Sequence, residues 1–99
     1  MNPDRVELSA QARADLDALI AYLLDRNPVA ALQVYAGIDE AFSTLAAPSP
    51  RIDGRVVTLR SGAVCRRWFV HPVVIFYDRA PGVVLVQAVH HYAREPIER

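Results

Sequence analysis

Two short runs in this 99-residue chain hold the side chains best suited to chemistry. One is His90-His91-Tyr92. An imidazole transfers protons near neutral pH, and a phenol can hydrogen-bond a phosphate. The other is Arg66-Arg67, whose planar forks bind phosphate or carboxylate bidentately. A base, an acid and cations around a phosphate are what cleavage of RNA through its 2′-hydroxyl requires. If the chain is a ribonuclease, the expected catalytic group is His91, Tyr92, Arg66 and Arg67. Each residue also has a plainer reading. His90 suits a half-buried residue closing the last strand, and His71, before Pro72, suits a turn. Neighbouring residues on a strand point to opposite faces, so at most one of Arg66 and Arg67 lies on an exposed functional face. The adjacent histidines diverge in the same way, and with no further ligand cluster a metal site is poorly supported.

The surrounding residues sharpen this inventory. No acid lies between Gly54 and Tyr77, whereas Arg55, Arg60, Arg66 and Arg67 all do, which favours partner binding over a neutralised surface. Residues 1–50 carry three arginines against seven acids, a net of −4; residues 51–99 carry eight against four, a net of +4. The basic half suits an anionic partner. Every basic residue other than histidine is arginine, a bias that codon usage alone can produce. Trp68, Phe69, Phe76 and Tyr77 read most simply as core, although Trp68 shares its strand face with Arg66 and would form an exposed platform there. Cys65 reads as a small buried hydrophobe.

These residues need elements to hold them. Val6-Glu7-Leu8 reads as a short opening strand, and Ser9 as the N-cap of a helix. Ala12, Leu16, Leu19, Ile20, Leu23 and Leu24 then recur at helical spacing until Asn27-Pro28 stops the pattern near Arg26. Asn27 and Pro28 start a second helix with the stripe Val34, Ile38, Ala41, Phe42 and Leu45, which Ala47-Pro48-Ser49-Pro50 ends. Gly37 inside it costs about 1 kcal/mol relative to Ala and reads as allowing close helix packing. So short a link predicts a helical hairpin. The second half is β-rich: residues 56–59, 64–70, 73–77 and 83–89 read as strands separated by Ser61-Gly62, His71-Pro72 and Ala80-Pro81-Gly82. The expected fold is α+β: an N-terminal strand, a helical hairpin over one sheet face, and a mostly antiparallel sheet of three or four strands, as one domain over residues 1–99.

Several classes fall away. The length supports one modest core, and the apolar composition argues against disorder. A single cysteine excludes an internal disulfide framework. No run approaches the roughly 18 apolar residues of a membrane span, and Met1 to Arg5 lacks the layout of a secretion signal. A soluble cytoplasmic protein with no cofactor and no membrane partner is expected.

This order of elements resembles the RelE/ParE toxin superfamily over nearly the whole chain. The segment Leu8 to Leu16 is similar to the family's entry into its first helix, and Asn27-Pro28 through Leu45-Ala46-Ala47-Pro48 to the ParE helix pair. Arg60-Ser61-Gly62 through Cys65-Arg66-Arg67 to Val74-Ile75-Phe76-Tyr77 resembles its paired central strands. Val86 to Arg94, a valine-rich run closing on His-x-x-Arg, resembles its last strand. The resemblance implies a toxin of a type II toxin–antitoxin system and a cognate, ParD-like antitoxin. That antitoxin would fold its C-terminal segment onto the hairpin, with Leu16, Ile20, Leu23 and Tyr35 as contacts, and onto the sheet. It also implies one of two targets. ParE-like members poison DNA gyrase without known catalysis; RelE-like members cut messenger RNA in the ribosome, some of them ending in a His-Tyr pair similar to His91-Tyr92. The ending Ala93-Arg94-Glu95-Pro96 and the lack of lysine resemble ParE-like chains. The expected target is therefore gyrase, met by Arg60, Arg66, Arg67, Trp68, His91 and Arg94, with the ribosome and messenger RNA as the alternative. An inactive homologue that only binds its antitoxin is the third reading.

Overall fold

The structure, a computed structural model, describes residues 2–91. Its elements are β1 (Arg5–Leu8), α1 (Ala10–Arg26), α2 (Pro28–Ala46), β2 (Arg55–Thr58), β3 (Val64–Val70), β4 (Val73–Ala80) and β5 (Val83–His91). They form one five-stranded sheet in the order β1-β5-β4-β3-β2. The α+β class and the element order agree with the sequence reading. The β-rich half supplies four antiparallel strands, the upper end of the expected range. The opening strand adds a fifth, paired in parallel with β5.

Capping residues explain the hairpin. The Ser9 Oγ accepts the Ala12 amide at 3.0 Å and opens α1. Asn27 alone separates the helices: its amide donates to the Leu23 carbonyl at 2.6 Å, and its side chain accepts the Ala30 amide at 3.1 Å. Pro28 occupies the first turn of α2, where no amide donor is needed.

The main core lies between the helices and one sheet face. Ala12, Leu19 and Leu23 from α1 and Ala31, Val34, Ile38, Ala41 and Leu45 from α2 meet Val73, Ile75, Tyr77, Val84, Val86 and Val89. Truncating a core leucine or isoleucine to alanine costs about 2–5 kcal/mol. The opposite face carries a smaller cluster of Cys65, Val74, Phe76 and Ala88, with Val57 and Leu59 against it. Gly37 does allow a close approach, but to the sheet and not to the other helix: a Cβ there would lie 3.2 Å from the Val70 Cγ1.

A register shift between Phe76 and Tyr77 leaves Gln87 without an opposite residue. Such a bulge reverses which face later side chains occupy. Val84 and Val86 reach the main core before it, whereas Val89 does so after it. Where β1 ends, α1 takes over the edge of β5. Ser9 donates to the Gln87 carbonyl at 2.8 Å, and Asp15 accepts the Val89 amide at 3.0 Å.

Candidate functional site

Two surfaces hold the residues singled out from the sequence. The first is a groove of about 550 Å³ between the helices, lined by Leu8, Leu16, Ile20, Leu24, Tyr35, Ile38 and Phe42 with Arg13, Asp17, Ala21 and Asp39. It exists because the apolar stripes are wider than the core needs. The inner edges pack on the sheet; Leu16, Ile20 and Phe42 are half-buried, and Leu24 and Tyr35 are 51% and 58% exposed. Leu32, on the exposed side of α2, is 71% exposed. Three of the four expected antitoxin contacts, Leu16, Ile20 and Tyr35, therefore line one groove. The fourth does not: Leu23 is buried in the main core, because its position on α1 points at the sheet.

The second surface is the end of the sheet at β2 and β3, where sequence reading missed the organising residues. Tyr77 is fully buried along its ring, yet its hydroxyl accepts the Gly54 amide at 2.7 Å and donates to the Asp53 carboxylate at 2.9 Å. Arg79 donates to Asp53 at 2.7 Å, to Asp4 at 3.2 Å, and to the carbonyls of Leu45 and Ile52 at 2.9 and 3.1 Å. Arg51 joins Asp4 at 3.2 Å. One arginine thus ties the start of β1, the end of α2 and the loop entering β2 to the sheet. Burial alone would raise the Asp53 pKa. The hydrogen bonds from Arg79 and Tyr77, with the charges of Arg79 and Arg66, outweigh it and hold the carboxyl below its ordinary value. Burial, and then the neighbouring Asp53, push the Tyr77 phenol up. The Cys65 thiol is likewise raised, first by burial and then by Asp78, which leaves it a poor nucleophile.

The adjacent arginines part company at this clamp. Arg66 donates to the Gly54 carbonyl at 2.8 Å, so its fork holds the loop. Arg67 points to the face without helices, where its guanidinium carbon lies 5.2 Å from the centre of the Phe69 ring. Trp68 shares its face with Arg66, as alternation requires, and packs against the main core; no open Trp–Arg platform forms. Arg60 sits exposed in the turn after β2.

Of the expected catalytic group, the described members His91, Arg66 and Arg67 are not brought together. The bulge turns His91 to the helix side, its ring 6.1 Å from that of Tyr22, so it lies on the opposite face from Arg67. Arg66 is on the same face as His91, but the strand partners of the two, Tyr77 and Val73, are four residues apart on β4. That spacing is about 13 Å along the strand. His90 is buried on the other face, edge-on to Phe76 at 5.4 Å, in line with the reading of a residue closing the strand. His71 lies in the exposed β3–β4 turn. Tyr92 and Arg94 lie outside the described residues. Among the described residues no group of three His, Cys, Asp or Glu could hold a metal ion, and no helix is long and apolar enough to cross a membrane.

An open helical groove beside a sheet with a basic outer end is an arrangement that comparison with known proteins can place. The sequence matches the family described as ParE toxin of type II toxin-antitoxin system, parDE, over residues 6–96. The chain belongs to this family. Among solved structures, the toxin resembles a chain of a chromosomal ParDE TA system from P. aeruginosa with a TM-score of 0.70 and 18% identity. The match covers 89% of this toxin and 95% of that chain, and at this identity it speaks for the fold. No curated protein matches the sequence.

Proposed function

We propose that this ParE-type toxin acts in the cytoplasm by inhibiting DNA gyrase, and that a cognate antitoxin neutralises it by laying an amphipathic segment into the α1/α2 groove. The observation that carries the antitoxin half is the groove itself, which leaves Leu24 and Tyr35 more than half exposed on a small protein. Such a patch marks a partner site, and an amphipathic helix lays its apolar stripe into a groove of this kind. Asp17 and Asp39 on the lining favour basic residues beside that stripe. Leu16, Ile20 and Tyr35 are the proposed contacts, while Leu23 supports them from the core.

The target half rests on the family and on the basic end of the sheet. Arg60 and Arg67 are the proposed contacts there, while Arg66 holds the loop before β2 and Trp68 packs on the main core. His91 is set apart on the helix side, and Arg94 remains a proposed contact from the sequence alone. A ribosome-dependent nuclease has less support, because His91 stands away from both Arg66 and Arg67. Purified gyrase assayed for supercoiling and for cleavage complexes, with the toxin added alone and then with its antitoxin, tests the proposal. Inhibition relieved by the antitoxin is expected. Unaffected gyrase, together with cutting of ribosome-bound messages, would replace it with the nuclease reading; a toxin harmless in cells would leave only antitoxin binding.

A further inference from the structure

The register of β2 and β3 sets Arg55 directly opposite Arg67. Both side chains belong to the face without helices, in the row that continues through Phe76 to Ala88. Like charges directly opposite each other weaken an antiparallel pair. Among the described residues neither arginine has a carboxylate within ion-pair distance; the carboxylates near this end, Asp4 and Asp53, are held by Arg51 and Arg79. Asp78, two positions along β4 from Phe76 on the same face, receives the Gln87 amide at 3.5 Å.

The chain also shapes space around this pair. A depression of about 350 Å³ is lined by Gly54, Arg55, Arg67, Trp68 and Phe69. Gly54 presses so closely on β3 that a Cβ would fall 1.7 Å from the Arg67 carbonyl oxygen. Tyr77 and Arg66 grip its amide and its carbonyl, so the backbone that presents Arg55 is anchored on both sides. Phe69, 49% exposed, adds an aromatic ring at the rim.

We propose that this depression binds the phosphate group of a nucleotide, with the forks of Arg55 and Arg67 on its oxygens and the Phe69 ring against its base. Two guanidinium groups offer paired N–H donors in two planes. A phosphate has enough oxygens to accept from both forks, whereas one carboxylate satisfies a single fork. The volume lies at the small end of ligand sites, which fits a single nucleotide unit. An aromatic face beside cations is the pairing that holds a base next to its phosphate. The unit comes either as a free nucleotide or as part of a single strand; both present the same chemistry. The site shares the sheet face proposed for the target but does not depend on that reading.

Full-length toxin is titrated, without gyrase, into fluorescein-labelled oligothymidylate at low salt and followed by anisotropy, with dTMP, inorganic phosphate and polyglutamate as competitors. Arg55→Gln and Arg67→Gln are each expected to weaken binding about tenfold, the loss of one charge-assisted fork. Arg5→Gln, which removes the same charge from the far edge of the sheet, should change it less than about twofold, as a non-specific field would. Phe69→Leu should weaken the oligonucleotide and dTMP but leave competition by phosphate unchanged. Both glutamine variants relieve a repulsion, so circular dichroism should find them folded. Displacement by dTMP supports the site and assigns it to free nucleotides; binding that dTMP leaves in place supports it and assigns it to a strand. Equal losses in Arg5→Gln and Arg67→Gln, or displacement by polyglutamate as effective as by oligonucleotide of equal charge, would overturn the proposal. Either result leaves gyrase inhibition standing, since gyrase is absent from the assay.

Discussion

The helical groove and the β2–β3 end of the sheet solve opposite problems. The groove is mostly apolar, open and held by the core beneath it: Leu16, Ile20 and Phe42 are only half covered, and Tyr35 is 58% exposed. The sheet end is polar and held by specific bonds, with Tyr77, Arg79 and Arg66 gripping a loop that has little apolar anchorage of its own. Shape in the groove therefore survives the loss of an exposed lining side chain such as Leu24 or Tyr35. Shape at the sheet end depends on single atoms. Under the proposed function this division would let the antitoxin cover one surface without the other having to move.

Substitutions can break or sharpen that contrast. The largest effect is expected from Gly54→Ala, whose methyl group would overlap the Arg67 carbonyl oxygen. Denaturant unfolding should report a loss of about 3 kcal/mol, and a loss below half of that would mean the loop is not clamped. Tyr77→Phe keeps the ring in the core and removes only the hydroxyl, leaving the Gly54 amide and the Asp53 carboxylate each short of a partner. A cost of about 2 kcal/mol is expected from the same measurement.

Asp53→Asn should cost about 1 kcal/mol at neutral pH, as befits a partly exposed ion pair, and its cost should depend on pH. The Asp53 carboxyl is held below its ordinary value, so the folded state favours the charged form. Its contribution is complete above the unfolded carboxyl value of about 3.9 and is lost as pH falls through the lower folded value. In melting curves, the gap between wild type and variant should begin to close as pH falls below about 4 and should vanish once pH is under the lower folded value; a gap that is unchanged throughout this range would assign the effect to packing. The smallest change in stability belongs to the groove. Tyr35→Ala should shift unfolding by no more than about 0.5 kcal/mol while weakening the antitoxin by about 2 kcal/mol. Calorimetric titration that finds the antitoxin indifferent would remove it from the groove.

Much of the fold was legible because its signals are local. Ser9, Asn27 and Pro28 mark helix ends within three or four residues of the amides they serve, and the β-branched and aromatic content of residues 64–70 and 73–77 marks strands directly. What escaped joins distant residues. Nothing near Asp53 announces Arg79, which lies 26 residues away, and nothing near Asp15 announces the Val89 amide, 74 residues away. Parallel pairing of β1 with β5 is hidden for the same reason. The face that His91 takes was not legible either: plain alternation from Val84 and Val86 would put it on the face without helices, and the bulge at Gln87 turns it toward Tyr22. The groove was half legible, since a stripe that includes both Leu19 and Leu24 is too wide for one contact, but periodicity alone cannot divide it. That division put Leu23 in the core and Ile20 in the groove.

In the function proposed here, one surface meets the antitoxin and the other meets gyrase. Supercoiling by purified gyrase, measured against increasing toxin carrying either Tyr35→Ala or the pair Arg60→Gln and Arg67→Gln, tests it most directly. The groove variant is expected to inhibit as wild type does and to resist rescue by antitoxin, whereas the sheet variant, still folded and still antitoxin-bound, is expected to lose inhibition. Inhibition abolished by Tyr35→Ala and untouched by the arginine substitutions would contradict it.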